Sequence, residues 1–562
     1  MLDNVHAGLV CSVELYPFEG GPFILTPGQL LGVSVSKSLR GGNPGTFTLQ
    51  LAAGGPYGVE SPTVWAEILT PMSFVLIGLG RGSDRAIVMA GIVTDIGETQ
   101  TWHTSSQGNT GVSRGVTVQG ADFSWFFSAF NFYALSFYGL TAGTAIGTAL
   151  DFVPGTLASV LSQGAIGGNS MASSNPIVVG QTWYRIMAGA NGIMNKTALP
   201  YQNNSRLGFG ALIGQVWEAY PDVFIPYADY FMISEESWTA KFNNIFAFPW
   251  YEFFVTTAPV DAYKPAAGAT TVAGTPLTMA SLPGAAPVSP VVVARVNPVP
   301  SLNITPGLSF GPIDTARWNA LPLRDFTLQS FSFLQSSISF SAADARNFYQ
   351  LNPTGYSTIT STNSNNIPFA FQFIAAGDPA SVQRYGFRPQ IGTTRWLFDP
   401  QGNAAQNPGT QVQDTILALT GRMISWYHPA PLMASASVTL PLAPTILIGT
   451  RFRYAPFKSG EPWDFYIESV THTYEFGGES GSSTTRLTLS RGLPAAVYAD
   501  SGSGGVLQAV HTGNAMRQEG AYVTGLPAGS SVPLQVITTT AQAASLSAQL
   551  SSVFVTPQSG AS

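Results

Sequence analysis

The sequence predicts a mainly β protein with a mixed α+β insertion, in which two similar antiparallel β-barrel modules share one chain. Three observations predict it. Apolar residues alternate with period two in two separated blocks, as at Phe47, Leu49 and Leu51, and only a strand sends every second side chain to one face. Turn-forming clusters such as Gly41-Gly42-Asn43-Pro44 and Arg81-Gly82-Ser83-Asp84 separate the runs, because Gly, Asn and Asp tolerate the backbone angles that turns require. The third observation is an internal echo. Phe74–Ile96, a polar loop and Gly115–Asp122 read strand, turn, long strand, loop, strand, as do Ile446–Phe476, the loop GGESGSS and Thr484–Gly492.

Taken in order, residues 1–120 form the first module. Met72–Leu79 (MSFVLIGL) is apolar on both faces and suits a strand covered on two sides; Ile87–Ile96 and Gly115–Gly120 continue the block. Residues 121–320 form an aromatic-rich insertion, with helix-compatible runs at Phe123–Tyr138 and Thr144–Ser162. Within it, residues 265–300 are rich in Ala, Pro, Thr and Val around a solitary Arg295, which reads as an extended connection or surface arm. Residues 321–492 form the second module. There Phe326 and Leu328 face one way and Ile338 and Phe340 repeat the pattern, a helix is expected at Asp414–Trp426, and strands at Thr445–Tyr454, Trp463–Phe476 and Thr484–Arg491. Residues 493–562 lose pattern and read as an extended C-terminal tail.

Composition removes several functional classes. Only 10% of the 562 residues are charged while 12% are aromatic, the reverse of a disordered chain. With 24 Lys and Arg against 30 Asp and Glu, the net charge is −6, which argues against a protein that binds nucleic acid by phosphate neutralisation. Cys11 is the single cysteine, so there is no internal disulfide framework. So little surface charge predicts poor solubility for a lone subunit, and hence a surface covered by neighbours. Arginines outnumber lysines 19 to 5, compatible with subunit contacts, where a planar guanidinium pairs carboxylates and stacks on rings; a GC-rich genome gives the same ratio. Met1–Glu14 lacks the basic run and apolar core of a secretory signal. Phe123–Leu150 carries no formal charge over 28 residues, long enough for a membrane span. Asn131, the glycines at 139, 143 and 147 and the absence of flanking Lys or Arg favour a buried helix or subunit contact instead.

No constellation carries catalysis. His6, His103, His428, His472 and His511 are too scattered for metal-ligand spacing, and His472 reads as a strand residue. No GxSxG elbow occurs, and the Gly78, Gly80, Gly82 run is followed by a second strand, so it reads as a hairpin and not a dinucleotide loop. Carboxylate pairs that could act on a sugar are Glu235 with Glu236, Asp222 with Asp229, and Glu461 with Asp464, each in a polar or turn-like setting. No catalytic, cofactor-binding or metal-ligating residue is therefore assigned.

Ile446–Gly449, Asp464–His472 (DFYIESVTH) and Thr484–Gly492 (TTRLTLSRG) together resemble the baseplate or tail hub proteins of bacteriophages, which share an architecture with the base of type VI secretion spike proteins. Phe47–Leu51, Trp65–Ile68, Pro71–Ile77, Gly91–Val93, Gly120–Asp122 and Ser341–Asn347 fit the same pattern. The resemblance implies tube-like barrels and a non-enzymatic virion protein of the tail or baseplate, assembled in the host cytoplasm. It implies a homotrimer whose duplicated barrels make a pseudo-six-fold ring. That ring joins a tail tube protein to a three-fold spike or tail tip protein and adjoins a tape measure and other baseplate proteins. DNA passes through its lumen without specific binding, no cofactor is needed, and no stable membrane insertion is expected. Two other readings stay open at this point: a cell-wall hydrolase with its site in 121–320, and a membrane-active component using residues 123–150.

Overall fold

The first block folds where the alternation places it. Its strands are β1 (Leu9–Tyr16), β2 (Phe23–Ile24), β3 (Leu30–Ser38), β4 (Thr46–Ala52), β5 (Phe74–Arg81), β6 (Asp84–Thr104) and β7 (Thr110–Asp122). The computed structural model describes residues 8–17, 22–25, 28–39, 44–52, 65–104, 110–129, 248–263, 270–304, 312–328, 333–353, 375–394, 408–475, 483–499 and 506–512, with short segments between 177 and 243 and at 397–398 and 535–537. β5 is buried along both faces, as its unbroken apolar run predicts. The Gly78–Gly82 run is the predicted hairpin: Arg81 pairs Asp84 across it, and Gly82 sits at φ +62°, where a side chain would be strained. The block curls so that Val13, Val75 and Ile77 meet Val35, Leu49 and Val118 in one core.

The insertion contributes a second sheet from β8 (Gly214–Trp217), β9 (Tyr251–Ala258), β10 (Thr270–Val272) and β11 (Ser289–Val296), in the order β9-β11-β8-β10. Every residue of β9 and β11 is buried. Residues 265–300 are therefore no surface arm. SPVVVARV is a strand covered on both faces, and its valines read as a linker only because composition hides which faces are covered. Alternate residues serve two cores. Phe253, Val255, Val292 and Ala294 pack with Phe74, Leu76 and Ile92 of the first block. Phe254, Val291 and Val293 pack with Phe465, Ile467 and Leu487 of the second.

The second block contains β12 (Leu323–Asp325), β13 (Gln335–Phe340), β14 (Phe348–Pro353), β15 (Ala375–Gly377), β16 (Pro389–Thr394), β17 (Ala434–Pro441), β18 (Arg451–Tyr454), β19 (Trp463–Glu475) and β20 (Thr484–Pro494). Helix α1 (Ser124–Ala129) follows β7. Helix α2 (Pro408–Tyr427) is the expected one, longer by nearly two turns at its start. It is pinned to the start of β9 and to the chain beyond β11: the Trp250 indole donates to the Leu419 carbonyl, the Leu302 amide to the Ser425 hydroxyl, and Arg422 to the Asn297 carbonyl.

Three expectations need correction. Phe326 and Leu328 lie beyond β12 in a short turn, and Leu328 is 85% exposed, because β12 pairs in parallel with β18 only over Leu323–Asp325. Residues 444–450 are turns, so the expected strand starts at Arg451. The chain after Gly492 is not without pattern: its described residues include short helices at Ala495–Ala499 and Val506–Thr512 and a strand at Gln535–Ile537 that pairs β15. The helix expected at Thr144–Ser162, the span 130–150 and the loop at Gly41–Asn43 lie outside the described residues. Among the described residues no helix is long and apolar enough to cross a membrane.

Candidate functional site

The two blocks do not stand apart. One thirteen-stranded sheet runs β13-β17-β20-β19-β3-β4-β7-β6-β5-β1-β2, with β12 and β18 alongside β19. The splice is β19, a strand of thirteen residues. Its first part, Trp463–Tyr466, pairs β18. Beyond that partner the same edge continues as Ser469–Glu475 and pairs β3 from Ser38 back to Gly32. The Ser36 and Thr471 hydroxyls share a bond of 3.1 Å, and the Leu39 amide donates to the Glu468 carbonyl.

Strand order makes the echo in the sequence geometric. The first block runs β3-β4-β7-β6-β5 and the second β13-β17-β20-β19-β18. Even the irregularity repeats: β6 bulges between Val93 and Asp95 against β7, and β19 bulges between Ile467 and Ser469 against β20. Bulges re-aim a strand at a fixed point, so they align the blocks residue by residue. Thr94 corresponds to Glu468 and Asp95 to Ser469, while Ser337, opposite Ser437, corresponds to Ser34, opposite Thr48.

The alignment exposes an inequality. The edge of β19 beyond its bulge is occupied by β3. The corresponding edge of β6, from Asp95 on, extends past its last pairing with β5 at Ile92 and has no other partner strand among the described residues. The counterpart of β3 is β13, which among the described residues pairs β17 on one side only and lies at the end of the sheet. β13 (QSSISF) has no charge and is exposed at every position except the half-buried Ile338. Leu334 and Phe340 are 58% and 47% exposed there. Soluble proteins blunt such an edge with lysine, proline or a bulge; this one carries none of them.

One face of the sheet is also uniform across both blocks. Cross-strand neighbours run Gln335, Thr439, Arg486, Thr471, Ser36, Thr46 in one row and Thr484, Thr473, Ser34, Thr48, Gln119, Asp95 in the next. All are exposed or half-buried. The face is thus mostly hydroxyl and amide, with Arg486 the only cation and Asp95 the only carboxylate in these rows. The opposite face is apolar except for a polar knot at the joint. His472 shares a 2.9 Å bond with the Thr485 hydroxyl, and burial pushes its pKa down to about 3. Burial brings Lys37 down to about 8 and Asp122 up to about 6.

A second knot clamps the inserted sheet to the second block. Arg295 and Glu252, 3% and 8% exposed, pair at 3.2 Å across β11 and β9. Arg295 also donates to the Gly449 carbonyl at 2.7 Å and to the Tyr466 hydroxyl, which in turn donates to Glu252. Phe254 and Tyr263 lie beneath the guanidinium. Arginine is therefore used inside this chain as well as at whatever surface it presents. Arg422, Arg451 and Arg491 are buried and donate to the carbonyls of Asn297, of Asn319 and Leu321, and of Trp426.

The carboxylates weighed for catalysis are not assembled. Glu235, Glu236, Asp222 and Asp229 lie outside the described residues. Asp464 is not in a solvated turn: it is buried in β19 and held by Arg453 and Arg451, while Glu461 is half-buried in the preceding loop. Among the described residues no group of three His, Cys, Asp or Glu could hold a metal ion. The motif residues of the second block are structural. Arg491 adopts φ +59° and stacks over Trp426 at 3.8 Å, and Gly492 lies against the ring of Phe465. Sequence reasoning missed Arg295 and Glu252 as a pair, although each is a lone charge within an apolar run.

Several solved structures are similar at low identity. A tail protein from Neisseria meningitidis aligns with 86% of this chain and 96% of its own, at 10% identity and a TM-score of 0.38. The 43 kDa tail protein of prophage MuSo2 from Shewanella oneidensis aligns with 85% and 98%, at 11% and 0.38. A component of the type VI secretion system of E. coli aligns with 83% and 73%, at 9% and 0.34. No family model and no curated protein matches the chain.

Proposed function

We propose that the chain is the structural hub of a bacteriophage tail or baseplate: a homotrimer whose duplicated strand blocks form a pseudo-six-fold ring between the tail tube and a three-fold spike or tip. The observation that carries it is the unequal use of equivalent edges. The joint between β19 and β3 inside one chain is the template; the free stretch of β6 and the free edge of β13 are the two halves of the same joint, left for a neighbour. Transferring the register sets Asp95 opposite Ser341 and Gly97 opposite Ser339 of the next subunit. Six such blocks, joined alternately within and between chains, close a ring, since a heterologous contact repeated about an axis closes when its rotation allows.

In this reading the hydroxyl-rich face lines the channel, where DNA passes a wall that offers its phosphates few cations. The division into modules at 1–120 and 321–492, an insertion at 121–320 and a tail at 493–562 belongs to the same proposal. So do the location in the virion, the assembly in the host cytoplasm, the tube, spike and tape-measure neighbours, and the lack of enzymatic activity.

The test is solution mass. The chain is expected at three times 59.3 kDa by light scattering at micromolar concentration. Successive N–H groups of a strand point to opposite sides, so one of Ser336→Pro and Ser337→Pro removes an outward-facing donor of β13. That variant is expected to be monomeric with its melting temperature held within a few degrees. A monomeric wild type, or a trimer that survives both prolines, would overturn the proposal.

A further inference from the structure

A cavity of about 540 Å³ lies where the two blocks and the inserted sheet meet, behind the β3–β19 joint. Its volume falls in the range of roughly 300–1,000 Å³ that holds drug-sized ligands. Its walls are well ordered in composition: Ile87 and Val88 from β6, Ala258 from β9, Ile446 and Ile448 from the turn before β18, and Val470 from β19 supply an apolar lining. Interiors are close-packed and rarely leave such a void next to a core.

The charged groups in the wall are all cations, set among the hydroxyls of Thr256, Thr257, Thr445 and Thr450 and the ring of His472. Lys37 is 9% exposed, and its ammonium reaches the Thr256 hydroxyl and the Thr257 carbonyl only at 3.4 and 3.5 Å. Arg85 and Arg324 stand at the rim, held on the carbonyls of Gly82, Pro283 and Thr445, with further N–H donors left over. Among the described residues that line the cavity there is no Asp or Glu. In a chain with net charge −6, three cations around one apolar space form a local exception.

We propose that this cavity binds a free single-chain anionic amphiphile, with its head group on Lys37 and its apolar chain along Ile87, Ile446 and Val470. The groups that face Lys37 are Asp122 of β7 and His472 of β19, with Arg85 and Arg324 at the mouth. His472 stays neutral at physiological pH, because burial depresses it to about 3, so it neither attracts nor repels the head group. Lys37 is a cation below about pH 8, and Asp122, pushed up to about 6, is an anion at pH 7 that already offsets part of its charge. A bound head group therefore shares Lys37 with Asp122 and draws the rest of its attraction from the two arginines. Arg85 and Arg324 keep their charge throughout, so preference for an anion is fullest at pH 7 and weakens as Lys37 loses its proton above about pH 8. The site does not depend on the hub reading, since every lining residue belongs to one chain.

The test is calorimetric titration of the full-length protein with decanoate and with decanol, which share a chain and differ in head group. Decanoate at pH 7 is expected to bind at least ten-fold more tightly than decanol, and the ratio to fall several-fold at pH 9.5. Ala262→Phe, at a half-buried position on the cavity wall, is expected to abolish both titrations while the protein keeps its melting temperature. Lys37→Met is expected to reduce the difference between the two ligands. Equal affinities at pH 7, no binding of decanoate, or binding that survives Ala262→Phe would overturn the site. Flotation with anionic phospholipid vesicles, together with no titration by decanoate, would also overturn it, assigning the cations to a bilayer surface.

Discussion

Replacing Arg295 by alanine is expected to destabilise the fold by about 3–5 kcal/mol, read as a fall in the urea midpoint. The guanidinium is 3% exposed and sits among Glu252, Tyr466, the Gly449 carbonyl and two aromatic rings. Removing it leaves the Glu252 carboxylate buried with only the Tyr466 hydroxyl, and a charge without a counter-charge in a protein interior is costly. Most of the loss should therefore come from the orphaned partner and not from the lost bond. The double variant Arg295→Met with Glu252→Gln tests this, because it removes both charges and keeps the volume. It is expected to recover more than half of the loss. A double variant as unstable as Arg295→Ala alone would mean that packing against Phe254 and Tyr263 carries the effect.

Gly492→Val is expected to be the most damaging single-residue enlargement in the second block. A β-carbon built there falls 2.1 Å from the Phe465 ring, itself fully buried in the core. Either Phe465 leaves its place or β20 moves from β19, and overpacking of this kind costs about 1–3 kcal/mol, occasionally more. Because Gly492 pairs Ala434 across the bulge between β17 and β20, the strain lands where α2 ends and Arg491 covers Trp426. A drop in melting temperature together with loss of near-ultraviolet tryptophan signal is expected. Phe465→Leu in the same chain should restore part of it; no change in melting temperature for Gly492→Val would exclude the contact.

These two residues show how differently the sequence yields its contents. Gly492 was visible only as the residue that ends the last alternating strand; that its missing side chain makes room for the Phe465 ring came from the structure. The strands of both blocks were legible from their alternation, and so was α2, whose apolar residues recur at helical spacing. β11 was not. A strand covered on both faces has no alternation to read, and its prolines and alanines mimic a linker. Arg295 was the available signal, because a single cation inside VVVARV has to meet an acid if the run is buried, and Glu252 inside YEFF carries the mirror-image message. The joint between β3 and β19 was beyond reach from sequence. Pairing between strands so far apart leaves no local mark, and only the length of β19 hinted that it outran its own block. The candidate edges followed from that joint, not from composition, although an uncharged QSSISF was in plain view.

The same splice governs when the protein can be finished. β3 and the end of β19 are separated by more than 430 residues. At the usual synthesis rate of 5–20 residues per second, β3 leaves the ribosome about 20–90 s before the strand that covers its edge exists. Through that interval the first block offers a neighbouring nascent chain the same edge that its own C-terminal half will later claim. The β6 edge, the counterpart of β19, emerges long before β19 itself, so on a crowded polysome β6 of one chain can reach β3 of another first. Whether it does so depends on the rate of translation between residues 104 and 475, and slowing that stretch with rare codons should raise the yield of aggregated chains without altering a single amino acid.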